Sequence, residues 1–218
     1  MRITWITHEL RELSDVAAVL AKADRPVLLL EGIRALPDSD RPTVVAAGRM
    51  LAWRLPAVVF RSGNAEGSDT AFAEGVTSVD PSRMEYVLTH AGMGRKRRHE
   101  AGRATALNEL RRVADGKVGD YTVGASPDTK GLVEAYRVSG GKGPVGAKAA
   151  YLLRDTLKVL GAPEADLAPA TAGLFYVNEA DPLTGGTGHT VRVCREFGIP
   201  VVFQAVWRKW VDRGTGKK

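Results

Sequence analysis

With 218 residues, 44% of them hydrophobic and 26% charged, the chain is long enough to bury roughly 70% of its unfolded surface in one large domain, without disulfide or metal staples. A single cysteine, Cys194, and four scattered histidines exclude an internal disulfide and a cysteine-rich zinc site. No apolar run approaches the roughly 18 residues of a membrane span, and the formal charge of +6 permits nucleic-acid binding without requiring it; the expectation is a cytoplasmic protein with no metal, no cofactor and no membrane partner.

From the N-terminus, Thr7 can cap a helix in which Leu10, Leu13, Ala17 and Leu20 share one face, ending near Asp24. Val27 to Leu30 is an apolar run without polar alternation, which suits a strand buried on both faces of a parallel sheet. It ends in Glu31-Gly32-Ile33-Arg34, and the carboxyl end of such a strand borders the ligand crevice of a doubly wound sheet, so Gly32 and Arg34 are candidate ligand contacts. Asp40 and Pro42 start a helix that runs to Pro56. A second strand, Ala57 to Phe60, leads into the small residues of Ser62-Gly63-Asn64-Ala65-Glu66-Gly67-Ser68-Asp69, and Ser68 or Asp69 can cap the short helix that follows.

A third strand spans Glu85 to Thr89. Beyond it, the basic run from Arg95 to Arg103, with Arg111 and Arg112 further on, reads as a solvated helix face or as a phosphate-contacting segment, and it lacks the interleaved aromatics that stack bases. The glycine-rich, polar stretch to Pro144 reads as a long excursion from the sheet. Gly141 to Lys148 is no phosphate loop, because Ala147 stands where that motif needs lysine. Ala147 to Leu160 is a helix whose Arg154-Asp155 pair either reaches the crevice or forms an exposed ion pair.

The last third carries the strongest signal. An apolar run, Leu174 to Val177, precedes Asp181-Pro182-Leu183-Thr184-Gly185-Gly186-Thr187-Gly188-His189-Thr190, and a helical pattern follows from Val191 to Phe197. Strand, glycine-rich turn and helix N-terminus in that order make an anion site, because glycines let the backbone approach closely and first-turn N–H groups point outward unpaired. A standard NAD site is disfavoured, since Val191 replaces the third glycine of the dinucleotide fingerprint. Cys194 reads as a small core residue, Val201 to Phe203 as a last strand, and Trp207 and Trp210 as packing, docking or dimer groups on a terminal helix. The expected fold is α/β: one three-layer, doubly wound, mostly parallel Rossmann-like domain over residues 1–218, with a basic, glycine-rich excursion at about 90–145.

Two motifs together resemble a known family. Ser62-Gly63-x-Ala65-x-Gly67-x-Asp69 and Gly185-Gly186-Thr187-Gly188-His189-Thr190 are similar to the two loops of the SLOG superfamily, which groups DNA-processing protein A with LONELY GUY-type proteins; the resemblance runs from about Val27 to Phe203. It implies binding of a nucleotide or nucleotide-derived ligand, in a homodimer, with the ligand phosphate at the glycine-rich loop. The residues it places at the ligand, together with those read above, are Gly32, Arg34, Ser62, Gly63, Asn64, Asp69, Arg154, Gly185, Gly186, Thr187, Gly188, His189 and Thr190. In the LONELY GUY pattern Gly-Gly-x-Gly-Thr-x-x-Glu, Arg154 stands for an upstream arginine, but His189 replaces the threonine and Arg192 the catalytic glutamate. An arginine cannot act as base at a glycosidic bond, so the first expectation is ligand binding, as in a sensor. A nucleotide hydrolase using Glu66 or Asp69, with Glu31 as a further carboxylate, is the alternative, and single-stranded nucleic-acid binding through Arg95 to Arg103 the next.

Overall fold

The computed structural model describes residues 10–110 and 116–214; Thr7, Arg111 and Arg112 lie outside these residues. Six strands, β1 (Val27–Gly32), β2 (Val59–Ser62), β3 (Met84–Leu88), β4 (Arg103–Ala106), β5 (Ala172–Tyr176) and β6 (Val201–Phe203), form one sheet in the order β4-β3-β2-β1-β5-β6. Every pairing is parallel, with Leu28 beside both Phe60 and Ala172. A parallel sheet needs a crossover between successive strands and hides both of its faces under the connecting helices. That is why the central strands read as uninterrupted apolar runs.

Alternation along β1 shows the two layers. Leu28 and Leu30 pack with Phe60, Leu174 and Trp207 on one face, while Leu29 packs with Phe175 and Val193 on the other. The first face is covered by α1 (Leu13–Leu20), α2 (Arg41–Arg54), α3 (Ser68–Thr77) and the C-terminal helix Gln204–Gly214. The second is covered by α4 (Lys117–Ala125), α5 (Lys130–Ser139), α6 (Gly143–Leu160) and α7 (Gly185–Glu196), which makes the C-terminal helix α8. The architecture is a three-layer α/β Rossmann-like fold. Among the described residues no helix is long and apolar enough to cross a membrane.

Three parts of the chain differ from the sequence reading. Arg103–Ala106 is an edge strand, not part of a basic helix, and its Arg-Ala-Thr-Ala sequence gives no apolar run because an edge strand is only partly covered. The excursion holds two helices, α4 and α5, whose narrow faces (Val118 and Thr122; Val133 and Tyr136) are masked in the sequence by interspersed glycines. Helix α6 starts at Gly143, four residues earlier than read, because Pro144 fits the first helical turn.

On the first face, α2 and α3 cross closely enough that a Cβ at Gly75 would stand 2.1 Å from the Val45 carbonyl oxygen. Trp207 anchors the same layer: its ring sits edge-on to Phe72 at 5.6 Å and its indole N–H donates to the Phe175 carbonyl at 3.0 Å. Trp210 and Cys194 are buried as well, which makes packing the role of both and leaves Cys194 a core thiol whose pKa burial pushes up. Truncating a buried Trp to Ala removes about 3–5 kcal/mol. Trp207→Ala should therefore lower the melting temperature by about 6–20 °C in a thermal melt; a change below about 2 °C would show that this layer does not hold the fold.

Candidate functional site

The chain leaves β1 over the first face, through α2, and leaves β5 over the second, through α7. Where neighbouring strands send their connections to opposite faces, a crevice opens at their carboxyl ends. Here it is a cleft of about 780 Å³, within the ordinary range for small-molecule sites. Its walls come from the end of β1 (Glu31 to Arg34), the loop after β2 (Ala65, Asp69), the start of α5, the outward face of α6, and Thr184 to Thr187 at the start of α7.

The two glycine loops are joined to each other through the end of β1. Thr187 Oγ1 donates to the Gly32 carbonyl at 2.9 Å, and the Gly32 amide donates to Asp69 Oδ1 at 3.0 Å. Asp69 Oδ2 accepts from the Ala65 amide at 3.2 Å, so this buried carboxylate folds its own loop back against β1; Gly67, not Ser68 or Asp69, occupies the N-cap of α3. Gly32 has to be glycine, since a Cβ there would lie 2.5 Å from the Ser68 Cβ. At the start of α7, Gly185 has φ +64 with open space where a side chain would be, and Gly188 packs on the Leu183 backbone. The first turn of α7, the positive end of the helix dipole, thereby borders the cleft.

A group of buried charges forms the cleft floor, with Lys158 behind it. Lys158 Nζ, with no solvent exposure, contacts Glu31 Oε2 at 2.5 Å and Asp155 Oδ1 at 2.8 Å. Arg154 Nη2 contacts Asp155 Oδ1 at 2.6 Å, and its Nη1 donates to the Gly63 carbonyl at 2.8 Å. The Gly63 amide donates to Glu31 Oε1 at 3.2 Å, which closes the circuit. Gly63 leaves room for the guanidinium: a Cβ there would stand 2.8 Å from Arg154 Cζ. Three carboxylates, Glu31, Asp69 and Asp155, thus share two cations. Burial would raise Asp155, but Arg154 and Lys158 outweigh it and hold its carboxyl below the usual range. Burial raises Asp69 against the pull of Lys158 and Arg154, and pushes Glu31 up to about 8 despite Lys158. The surplus carboxylate therefore carries a proton near neutrality, and that proton belongs to the group as a whole.

Of the residues expected at the ligand, Gly32, Arg34, Asp69, Arg154, Gly185, Gly186 and Thr187 line the cleft. The others do not. His189 is fully buried, between Ser126 Oγ (2.8 Å from Nδ1) and Thr156 Oγ1 (3.0 Å from Nε2), and burial lowers its pKa to about 4, so it stays neutral and ties α7 to the α4–α5 turn and to α6. Thr190 Oγ1 donates back to the Gly186 carbonyl, Gly188 supports the turn, and Ser62 and Gly63 lie beneath the floor. Asn64 holds φ 55 and bridges to the Gly94 carbonyl at 3.1 Å. Glu66 sits outside the cleft walls and pairs with Arg97 at 2.9 Å. In the basic run, Arg98 donates to the Ala91 carbonyl and Arg103 bonds Asp166, so part of its charge is already used within the chain.

The Arg154-Asp155 pair reaches the cleft and is buried, not an exposed ion pair, while wall residues not read as ligand contacts from sequence include Lys148, Tyr151 and Arg192, the last donating to the Leu183 carbonyl and to Ser126 Oγ. Lys148 and Tyr151 fall at helical spacing with Asp155 on one face of α6, and that periodicity was the signal available. Among the described residues, no three histidine, cysteine or acidic side chains are arranged to hold a metal ion. Comparison with protein-family models, with curated proteins and with solved structures gives no match for the chain.

The raised Glu31 makes stability depend on pH in a defined direction. Its folded value of about 8 lies above the ordinary 4.5, so the stability it contributes is complete below about 4.5 and is lost as pH rises through about 8. Glu31→Gln has no proton to lose there. Between pH 5 and 8, the wild type should therefore lose on the order of 5 °C of melting temperature relative to Glu31→Gln. A difference that stays flat across this window would show that Glu31 is ionised throughout.

Proposed function

We propose that the chain binds a nucleotide or nucleotide-derived ligand in the switch-point cleft, with the ligand's phosphate on the first turn of α7. The observation that carries this reading is the convergence of both glycine loops, through Thr187, Gly32 and Asp69, on one cleft whose mouth has cations without carboxylate partners. Arg34, Lys148 and Arg192 form no ion pair among the described residues, whereas the buried charges beneath are matched to one another once Glu31 carries a proton. An anion entering such a site meets backbone N–H groups, a helix dipole and excess positive charge together. The resemblance of the two loops to the SLOG superfamily supports the same ligand class, and a sensor role fits a site without an assembled catalytic set. Hydrolysis has less support: Glu66 is paired outside the cleft, and both oxygens of Asp69 are taken by backbone amides.

A thermal-shift screen over nucleotides, phosphoribosyl compounds and ADP-ribose-like ligands tests the reading. A ligand at 100 times its dissociation constant stabilises by about 2.7 kcal/mol, which raises the melting temperature by roughly 5–10 °C for a chain of this size. The shift should be confined to phosphorylated ligands. It should vanish in Gly186→Asp, whose new carboxylate would stand against Asp155 Oδ2, and shrink in Lys148→Glu, at an exposed position on the cleft wall. A cooperative melt that no phosphorylated ligand moves would refute the proposal.

A further inference from the structure

Helix α6 runs along the cleft like a ruler. At its inner end Asp155 Oδ2 lies 3.0 Å from the Cβ position of residue 186, which fixes the level of the α7 first turn on α6. Tyr151 is one turn further out, about 6 Å along the axis at the usual helical rise, and Lys148 about 10 Å out. Tyr151 is half-buried, lines the cleft, and has apolar neighbours in its wall: Leu132, Ala147 and Leu152. Two guanidinium groups lie over its ring, each 5.3 Å from the centroid. Arg154 is pinned there by Asp155 and the Gly63 carbonyl. Arg34 is different: it is exposed and has no carboxylate partner among the described residues, so only the ring holds it.

We propose that Tyr151 is the stacking platform for a planar heteroaromatic ring of the ligand, with Arg34 moving to close over that ring, so that the cleft selects nucleoside phosphates over sugar phosphates. This rests on the phosphate reading above. The spacing along α6 places the platform one pentose away from the α7 first turn, which is the separation of base and phosphate in a nucleoside 5′-monophosphate. An exposed cation on an aromatic face is a weak association, and its replacement by a ring that touches both partners retains the cation–π contact while adding stacking area. A sugar phosphate has nothing to offer at this level and would leave Arg34 where it is. Tyr151 is thereby a specificity-determining binding residue.

The test is an amide NMR titration of the whole chain with each of the four ribonucleoside 5′-monophosphates and with ribose 5-phosphate. At least one nucleotide should bind roughly 5- to 150-fold more tightly than ribose 5-phosphate, the range that aromatic–base stacking provides. Tyr151→Leu should bring that nucleotide down to the affinity of ribose 5-phosphate for the same variant, and Tyr151→Phe should keep the preference. In the wild type, nuclear Overhauser contacts should join the Tyr151 ring to base protons, a readout that needs no variant. A preference that survives Tyr151→Leu, equal loss of both ligands in that variant, or base contacts elsewhere would overturn the platform. Wild-type binding of all five ligands with equal affinity would overturn it and leave the phosphate reading standing. If none of the five moves the amides of residues 185–187, both fall.

Discussion

A lysine ammonium enclosed without solvent is tolerable only when its charge is matched at short range, and Lys158 meets that condition through ionised Asp155 at 2.8 Å, with Glu31 Oε2 accepting from it at 2.5 Å. Its backbone is engaged as well, because the Lys158 carbonyl accepts from buried Arg61, which in turn pairs with Glu85 at 2.6 Å. One turn of α6 is thus fixed to β1, β2 and β3 by charge. Buried ion pairs add little net stability relative to apolar packing, but removing one partner is severe, about 3–5 kcal/mol, because a bare charge stays behind. Such pairing favours one arrangement over its near neighbours. We read the group in that way: it fixes the depth and rotation at which α6 meets the sheet.

The cleft follows from that placement. With α6 set, Arg154 reaches the Gly63 carbonyl and Glu31 accepts from the Gly63 amide, so the first glycine loop is held from both sides of one residue. Asp155 Oδ2 lies 3.0 Å from where a Cβ at residue 186 would stand, and Thr187 ties the second loop to Gly32. His189, Ser126 and Thr156 complete the frame by joining α7 to α6 and to the α4–α5 turn without a formal charge, since the imidazole stays neutral. The result is a floor of matched charges under a wall in which Arg34, Lys148 and Arg192 form no ion pair among the described residues. A preorganised site of this kind loses little entropy when an anion arrives.

Much of this was legible in the residues, and the limits have physical causes. β1 and β5 were readable because strands covered on both faces need unbroken apolar runs, and the start of α7 because Gly185, Gly186 and Thr187 have few other uses after a strand. β4 was not, because an edge strand needs only hydrogen bonds along one side and can be Arg-Ala-Thr-Ala. His189 looked like part of the loop, but α7 begins at Gly185, and the residue four places on turns inward instead of toward the ligand. Asp69 looked like a cap or an acid, yet its two oxygens satisfy amides of Gly32 and Ala65, one of them 37 residues away. Lys158 carried no sign of its role: a lysine at the end of a helix reads as solvated until tertiary packing brings a glutamate from another strand against it.

The central claim is that the charge-fixed floor and the α7 first turn form one anion site. A crystal structure of the chain with a bound nucleoside 5′-monophosphate tests it most directly. The account predicts the phosphate within hydrogen-bond reach of the amides at the start of α7, with the contacts of Lys158 to Glu31 and Asp155 unchanged from those described. A phosphate seated instead on the basic segment around Arg95 to Arg98, with the α7 first turn untouched, would contradict it.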